Sequence, residues 1–130
     1  MVDALWRCAG DLDPVVMAAA ELLAAPDARV DRLGERLEVS PRALRRRVRA
    51  AVGIGPKRLH RVLRFGRFAG HLGQLADGRR GLAELAAELG YADQAHLGRE
   101  CLQLAGASPA ALVELYRRPV RGRGGPDETG

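Results

Sequence analysis

Apolar residues recur along the chain at helical spacing, three to four residues apart, in one block after another. In the first block Val15, Val16, Ala19, Leu22 and Leu23 form a stripe. Asp13 is placed to cap that helix, Pro14 suits its first position, and Pro26 stops it. Residues 30–38 carry Val30, Leu33 and Leu37 inward as a second, short helix, and Val39-Ser40 is a tight link to the third. From Ser40 to Gly53, Leu44, Val48 and Ala51 recur at i, i+4 and i+7, with Ser40 as N-cap and Gly53 as a left-handed end. A long helix is predicted from Pro56 to about Ala76, its stripe being Leu59, Val62, Leu63, Ala69 and Leu72, extended by Phe65 and Phe68. Gly66, Gly70 and Gly73 weaken that helix and permit a bend or a close crossing. After the turn Asp77–Gly81, residues Leu82–Gly90 form a compact amphipathic helix. Asp93 caps the next, with Leu97, Cys101 and Leu104 inward and Gly106 at its end. Ser108-Pro109 opens a last helix to about Tyr116. The pattern is all-α, with about seven helices.

The pattern also repeats. Leu33, Leu37 and Val39 match Leu85, Leu89 and Tyr91 at an offset of 52. Leu44, Arg46, Val48, Gly53, Pro56 and Leu59 match Leu97, Arg99, Cys101, Gly106, Pro109 and Leu112 at an offset of 53. The second copy therefore has one more residue in the turn between its paired helices. A short helix, a tight turn and an exposed second helix describe a helix-turn-helix, here in two copies. The predicted twenty-residue helix between them is about 30 Å long, close to the ~34 Å between successive major-groove faces of DNA.

Charge sharpens this picture. Residues 1–38 carry a net −4, residues 39–76 carry ten bases and no acid, and residues 77–130 carry a net −1, giving the overall +5. An acid-free basic block with helical apolar periodicity favours a polyanionic partner. Within it Arg42, Arg45, Arg46 and Arg49 recur at i, i+3, i+4 and i+7, opposite the apolar face of their helix. Arginine on such a helix can read guanine O6 and N7 in the major groove. Taken alone the same blade also fits a solvated face, because the chain uses twenty arginines and a single lysine, Lys57. The repeat and the charge block together point to DNA. Lys57, Arg58, Arg61, Arg64 and Arg67 crowd the polar side of the long helix. The expected phosphate contacts are Ser40, Arg49, Lys57, Arg61, Arg64 and His96.

These residues resemble the DNA-binding domain of the AraC/XylS family of bacterial transcription regulators, from about Asp13 to Tyr116. The first copy carries LGERLEVSPRALRRRVRAAVGIGPKRL, then RVLRFGRFAGHL. The second carries LAELAAELGYADQAHLGRE and a closing GASP, which is similar to the family's signature region. The resemblance implies two helix-turn-helix subdomains joined by a long linker helix and inserted into adjacent major grooves. By position it places Arg42, Arg45 and Arg46 at base-reading sites of the first unit, and Gln94, Ala95, Gly98 and Arg99 at those of the second. Relatives usually carry Phe at Leu97 and Cys101, a polar residue at Gly98 and a basic one at Leu102, so the second reading head is expected to be the weaker. Relatives also usually carry a sensing or dimerising domain; here the expectation is a stand-alone regulator or one that has lost its sensor.

The organisation expected is a leader or linker remnant over 1–11, a first helix-turn-helix subdomain with the linker helix over 12–76, a second subdomain over 77–116, and a disordered Gly/Pro-rich tail over 117–130. Other chemistry finds little support. His60, His71 and His96 are scattered, and Cys8 and Cys101 form no C-x-x-C pair, so neither a metal nor another cofactor is expected. Gly53–Pro56 lacks the Lys-Ser/Thr of a phosphate loop, and Glu84 and Glu88 read as solvated acids, so no enzyme is expected. An RNA binder would show exposed aromatics, whereas Trp6, Phe65, Phe68, Tyr91 and Tyr116 mostly fall on core stripes. No apolar run reaches membrane-spanning length and no secretory signal opens the chain, so it reads as cytoplasmic. The expected partner is double-stranded DNA, with RNA polymerase a candidate second partner, no membrane, and a monomeric state in isolation. The alternative is a protein-interaction module that modulates another regulator or RNA polymerase without a DNA site of its own.

Overall fold

The computed structural model describes residues 13–117. The leader over 1–11, with Trp6 and Cys8, and the tail beyond Arg117 lie outside the described residues. Among the described residues the structure is entirely helical: α1 (Pro14–Leu23), a 3-10 turn (Val30–Arg32), α2 (Leu33–Leu37), α3 (Pro41–Val52), α4 (Pro56–Ala69), α5 (Leu72–Ala76), α6 (Leu82–Glu88), α7 (Gln94–Ala105) and α8 (Pro109–Arg117). The chain divides into two compact units, one up to Arg64 and one from Phe65.

In the first unit, the Asp13 carboxylate accepts from the Val15 N–H at 2.8 Å and starts α1. Val16, Ala19 and Leu23 of α1 meet Leu33 of α2, Leu44 and Val48 of α3 and Leu59 of α4, all buried. The short helix expected over 30–38 opens as 3-10 and closes at Glu38, whose φ of 59° is left-handed. That turn lets the Val39 N–H reach back to the Gly34 carbonyl at 2.9 Å, the closure characteristic of a helix C-terminus.

In the second unit Phe68, Leu85, Ala86, Leu89, Tyr91, Leu97 and Cys101 form the core, with Phe65, Leu72, Leu75, Leu82 and Leu112 packed on it. The long helix expected from Pro56 to Ala76 is two helices. The His71 N–H turns to the Phe68 carbonyl at 2.9 Å, three residues back. The His71 Nδ1–H donates to the Arg67 carbonyl at 2.8 Å, the acceptor that a continuing helix would have used. Gly70, with no side-chain constraint, sits at the break. The 14 residues of α4 span about 21 Å, so the uninterrupted 30 Å spacer is not formed. Ala69, expected inward, is exposed at the end of α4. α5 packs against α8, where the Tyr116 ring lies over Gly73 and Arg117 donates to the Ala76 carbonyl at 3.0 Å. Tyr116 itself is exposed, unlike the other described aromatics.

Candidate nucleic-acid interface

The two copies of the repeat fold alike, bond for bond. The turn after α2 has Val39 N–H to Gly34 carbonyl at 2.9 Å, and the turn after α6 has Tyr91 N–H to Ala86 carbonyl at 2.9 Å. The left-handed residues are Glu38 in one and Gly90 in the other. Ser40 caps α3 by accepting from the Ala43 N–H at 3.1 Å, and Asp93 caps α7 by accepting from the His96 N–H at 2.7 Å. Gly53 and Gly106 end these helices at φ of 82° and 73°. Leu44 and Val48 anchor α3, and Leu97 and Cys101 anchor α7. Each unit therefore presents the second helix of a helix-turn-helix with its outer face to solvent.

On α3 that face is cationic. Arg42, Arg45, Arg46 and Arg49 are all exposed, and none forms an ion pair with any described residue. Arg47, one residue out of phase, turns inward instead. It donates twice to Asp13, at 2.5 and 2.8 Å, and ties α3 to the start of α1. The Arg47 hydrogen bond holds the Asp13 carboxyl below the usual carboxylate range, against the opposing effect of partial burial. The sequence shows this split only through phase: Arg47 falls toward the Leu44–Val48 side of the wheel, off the blade. A groove beside α3 is lined by Arg45 and Arg49 together with Lys57 and Arg58 at the start of α4, and by the acids Asp31 and Glu35. Ser40 and Lys57 are exposed beside it, whereas Arg61 and Arg64 are half-buried and engaged in contacts of their own.

On α7 the face has different chemistry. Gln94, Ala95, Arg99 and Leu102 are exposed, and the space beside Gly98 is open. His96 is half-buried. Its Nδ1 accepts from the Ala92 N–H at 3.0 Å, its ring meets the Tyr91 ring edge-on at 5.2 Å, and its proton is left on Nε2. Glu100, which the sequence did not single out, is buried at 2% exposure. Its position on the Leu97–Leu104 side of the helix was the available signal. Burial pushes the neighbouring Cys101 thiol up to about 11, and the Glu100 charge adds to that shift. Arg80 pairs with Glu84 and Glu88, which places these acids in a local ion-pair cluster.

Among the described residues no group of His, Cys, Asp and Glu is placed to hold a metal ion, and no helix is long and apolar enough to cross a membrane. The sequence profile of a helix-turn-helix domain matches residues 33–114, which covers both turns and both outer helices. The fold is similar to that of the C-terminal domain of AraT, a response regulator from Geobacillus stearothermophilus. The TM-score is 0.72 at 23% identity, over 86% of this chain and 93% of that one. No curated protein matches.

Proposed function

Because the chain belongs to the AraC-type helix-turn-helix family and is a DNA-binding regulator domain, we propose that it controls transcription by recognising a specific double-stranded DNA site, with α3 and α7 in adjacent major grooves. The observation that carries this reading is the outer face of α3: four exposed arginines without an acidic partner among the described residues, on a helix anchored from its other side. A 12-residue helix about 18 Å long fits the roughly 12 Å wide major groove. Arg42, Arg45 and Arg46 are assigned to base edges in the first half of the site, and Gln94 and Arg99 to the second. Ser40, Arg49 and Lys57 are assigned to phosphates, and the Nε2–H of His96 is a further candidate donor to them. Both reading helices lie in one chain, so a monomer suffices for an asymmetric site, and RNA polymerase is the second partner such a regulator would engage.

The test is to select a site from random duplex DNA and titrate the chain on that site and on a scrambled duplex at fixed salt. A good bidentate arginine contact discriminates by about 1–3 kcal/mol. Arg46→Ala is expected to lose affinity on that scale for the selected site and much less on the scrambled one. Arg99→Ala is expected to relax the other half. Equal weakening on both duplexes would show that the blade is an electrostatic surface without base reading.

A further inference from the structure

The repeat aligns the two outer helices position by position. At the offset of 53, Arg42, Arg45, Arg46 and Arg49 of α3 correspond to Ala95, Gly98, Arg99 and Leu102 of α7. The frames around them are the same: N-cap hydrogen bond, buried anchors and left-handed final glycine. Three of the four positions that carry a guanidinium in the first unit are therefore apolar in the second, and Arg99 alone keeps its charge.

These positions face outward. On the helical wheel Ala95 and Leu102 lie opposite the inward pair Leu97 and Leu104. Ala95 is exposed, and Leu102 is 56% exposed, one of three large hydrophobic side chains left in solvent among the described residues. A side chain added at Gly98 would meet nothing within 4 Å, so the α7 backbone is itself accessible there. The exposed centre of α7 is thus an apolar strip, with Gln94 on one flank and Arg99 on the other.

In the major groove the apolar feature that distinguishes a base pair is the C5-methyl group of thymine, which small and aliphatic side chains contact. We propose that the two helices read opposite chemistries: α3 reads guanine acceptors through arginine, and α7 reads thymine methyl groups through Ala95, Leu102 and the open backbone at Gly98. Gln94 suits the N6 and N7 of an adenine beside them, and Arg99 anchors the helix at one guanine or phosphate. This inference rests on the proposed function and specifies the kind of DNA that function uses: a bipartite site, G-rich in one half and T-rich in the other.

Uracil lacks only the methyl group, so it isolates the contact. In the selected duplex each thymine is replaced by deoxyuridine, one half-site at a time. Replacement in the α7 half is expected to weaken binding about fourfold per contacted thymine, the worth of one buried methyl group. Replacement in the α3 half is expected to change nothing, that half being identified by its response to Arg46→Ala. Leu102→Ala, at an exposed position that does not endanger folding, should shrink the uracil penalty. Leu102→Lys should remove most of it while raising affinity for scrambled DNA. A selected site on which uracil is neutral in both halves overturns this inference and leaves site-specific binding intact. A chain that selects no site overturns both.

Discussion

Gly34 stands where the two units differ in backbone space. Its equivalent in the second unit, at the offset of 52, is the buried Ala86. A Cβ at Gly34 would lie 2.7 Å from the Val39 carbonyl oxygen. Carbon and oxygen settle at about 3.3 Å or more, so that oxygen has to retreat by roughly 0.6 Å. It belongs to the backbone of the turn into α3 and has no rotamer to change. Overpacking costs about 1–3 kcal/mol, and an overlap with a backbone atom that cannot turn away falls in the upper half, about 2–3 kcal/mol; the helix propensity regained by replacing glycine offsets about 1 kcal/mol. Gly34→Ala is thus expected to destabilise the first unit by about 1–2 kcal/mol. At ~4–8 °C per kcal/mol in a domain of this size, the melting temperature falls by roughly 4–16 °C. The second unit closes its turn with the same bond, Tyr91 N–H to the Ala86 carbonyl, and holds a buried alanine at this position. The reverse swap, Ala86→Gly, loses propensity and a buried methyl group and is expected to cost about 1–2 kcal/mol in its own unit. Thermal melts followed by circular dichroism give the size of each effect, and the accessibility of Cys101 to a thiol reagent shows which unit opened. The reasoning is refuted if Gly34→Ala melts at or above the temperature of the unaltered chain.

Other outcomes follow from the same structure. Asp13→Asn keeps an N-cap but loses the charge facing Arg47. Since the folded carboxyl titrates below its ordinary 3.8, the unaltered chain should be the more stable above that pH and lose its advantage as pH falls through the lower folded value; a gap in melting temperature that stays constant from neutral to strongly acid pH would contradict this. In a Cys8→Ser background the Cys101 thiol, pushed up to about 11, should label at neutral pH only as the second unit opens, and prompt labelling of the folded chain would refute that. DNA affinity should fall with salt, with a log–log slope near −5 if roughly six phosphates are neutralised. The stability of α3 without DNA should rise with salt, as seen in melts at increasing ionic strength.

The local signals in the sequence were legible because their chemistry is local. Asp13, Ser40, Asp93 and Ser108 each read as an N-cap, and each accepts the expected backbone N–H two or three residues on. Gly53 and Gly106 end their helices left-handed as read. Features decided by which partner a backbone group finds were not legible. The helix break after Ala69 depends on a histidine ring finding the carbonyl four residues back, and three nearby glycines could equally have signalled a bend within one continuous helix. Glu38 takes a left-handed conformation that its residue type does not announce, because the closing bond to Gly34 imposes it. Of the site, the α3 blade was visible from phase alone. That Arg61 and Arg64 are half-buried and engaged depends on what packs over α4, which no local spacing records.

The α3 blade itself contributes nothing to folding. Arg42 and Arg46, and Arg45 and Arg49, are like charges four residues apart, and Arg42 with Arg45 and Arg46 with Arg49 are three apart. Each such pair destabilises a helix by about 0.2–0.5 kcal/mol, so together they cost α3 roughly 1–2 kcal/mol when no counter-charge is present. Five arginines outside α3 are arranged the other way: Arg29, Arg32, Arg79, Arg80 and Arg117 each lie beside an acid of their own segment. What stabilises α3 is its inner face, through Leu44, Val48 and the Arg47–Asp13 pair, and its caps. The outer face is a charge cluster unpaired among the described residues, whose repulsion a line of phosphates would relieve. Salt screens that repulsion in the free protein and competes with phosphates in the complex, so the same four side chains make the free helix more stable and the complex weaker as ionic strength rises. A merely solvated arginine face would show the first effect without the second.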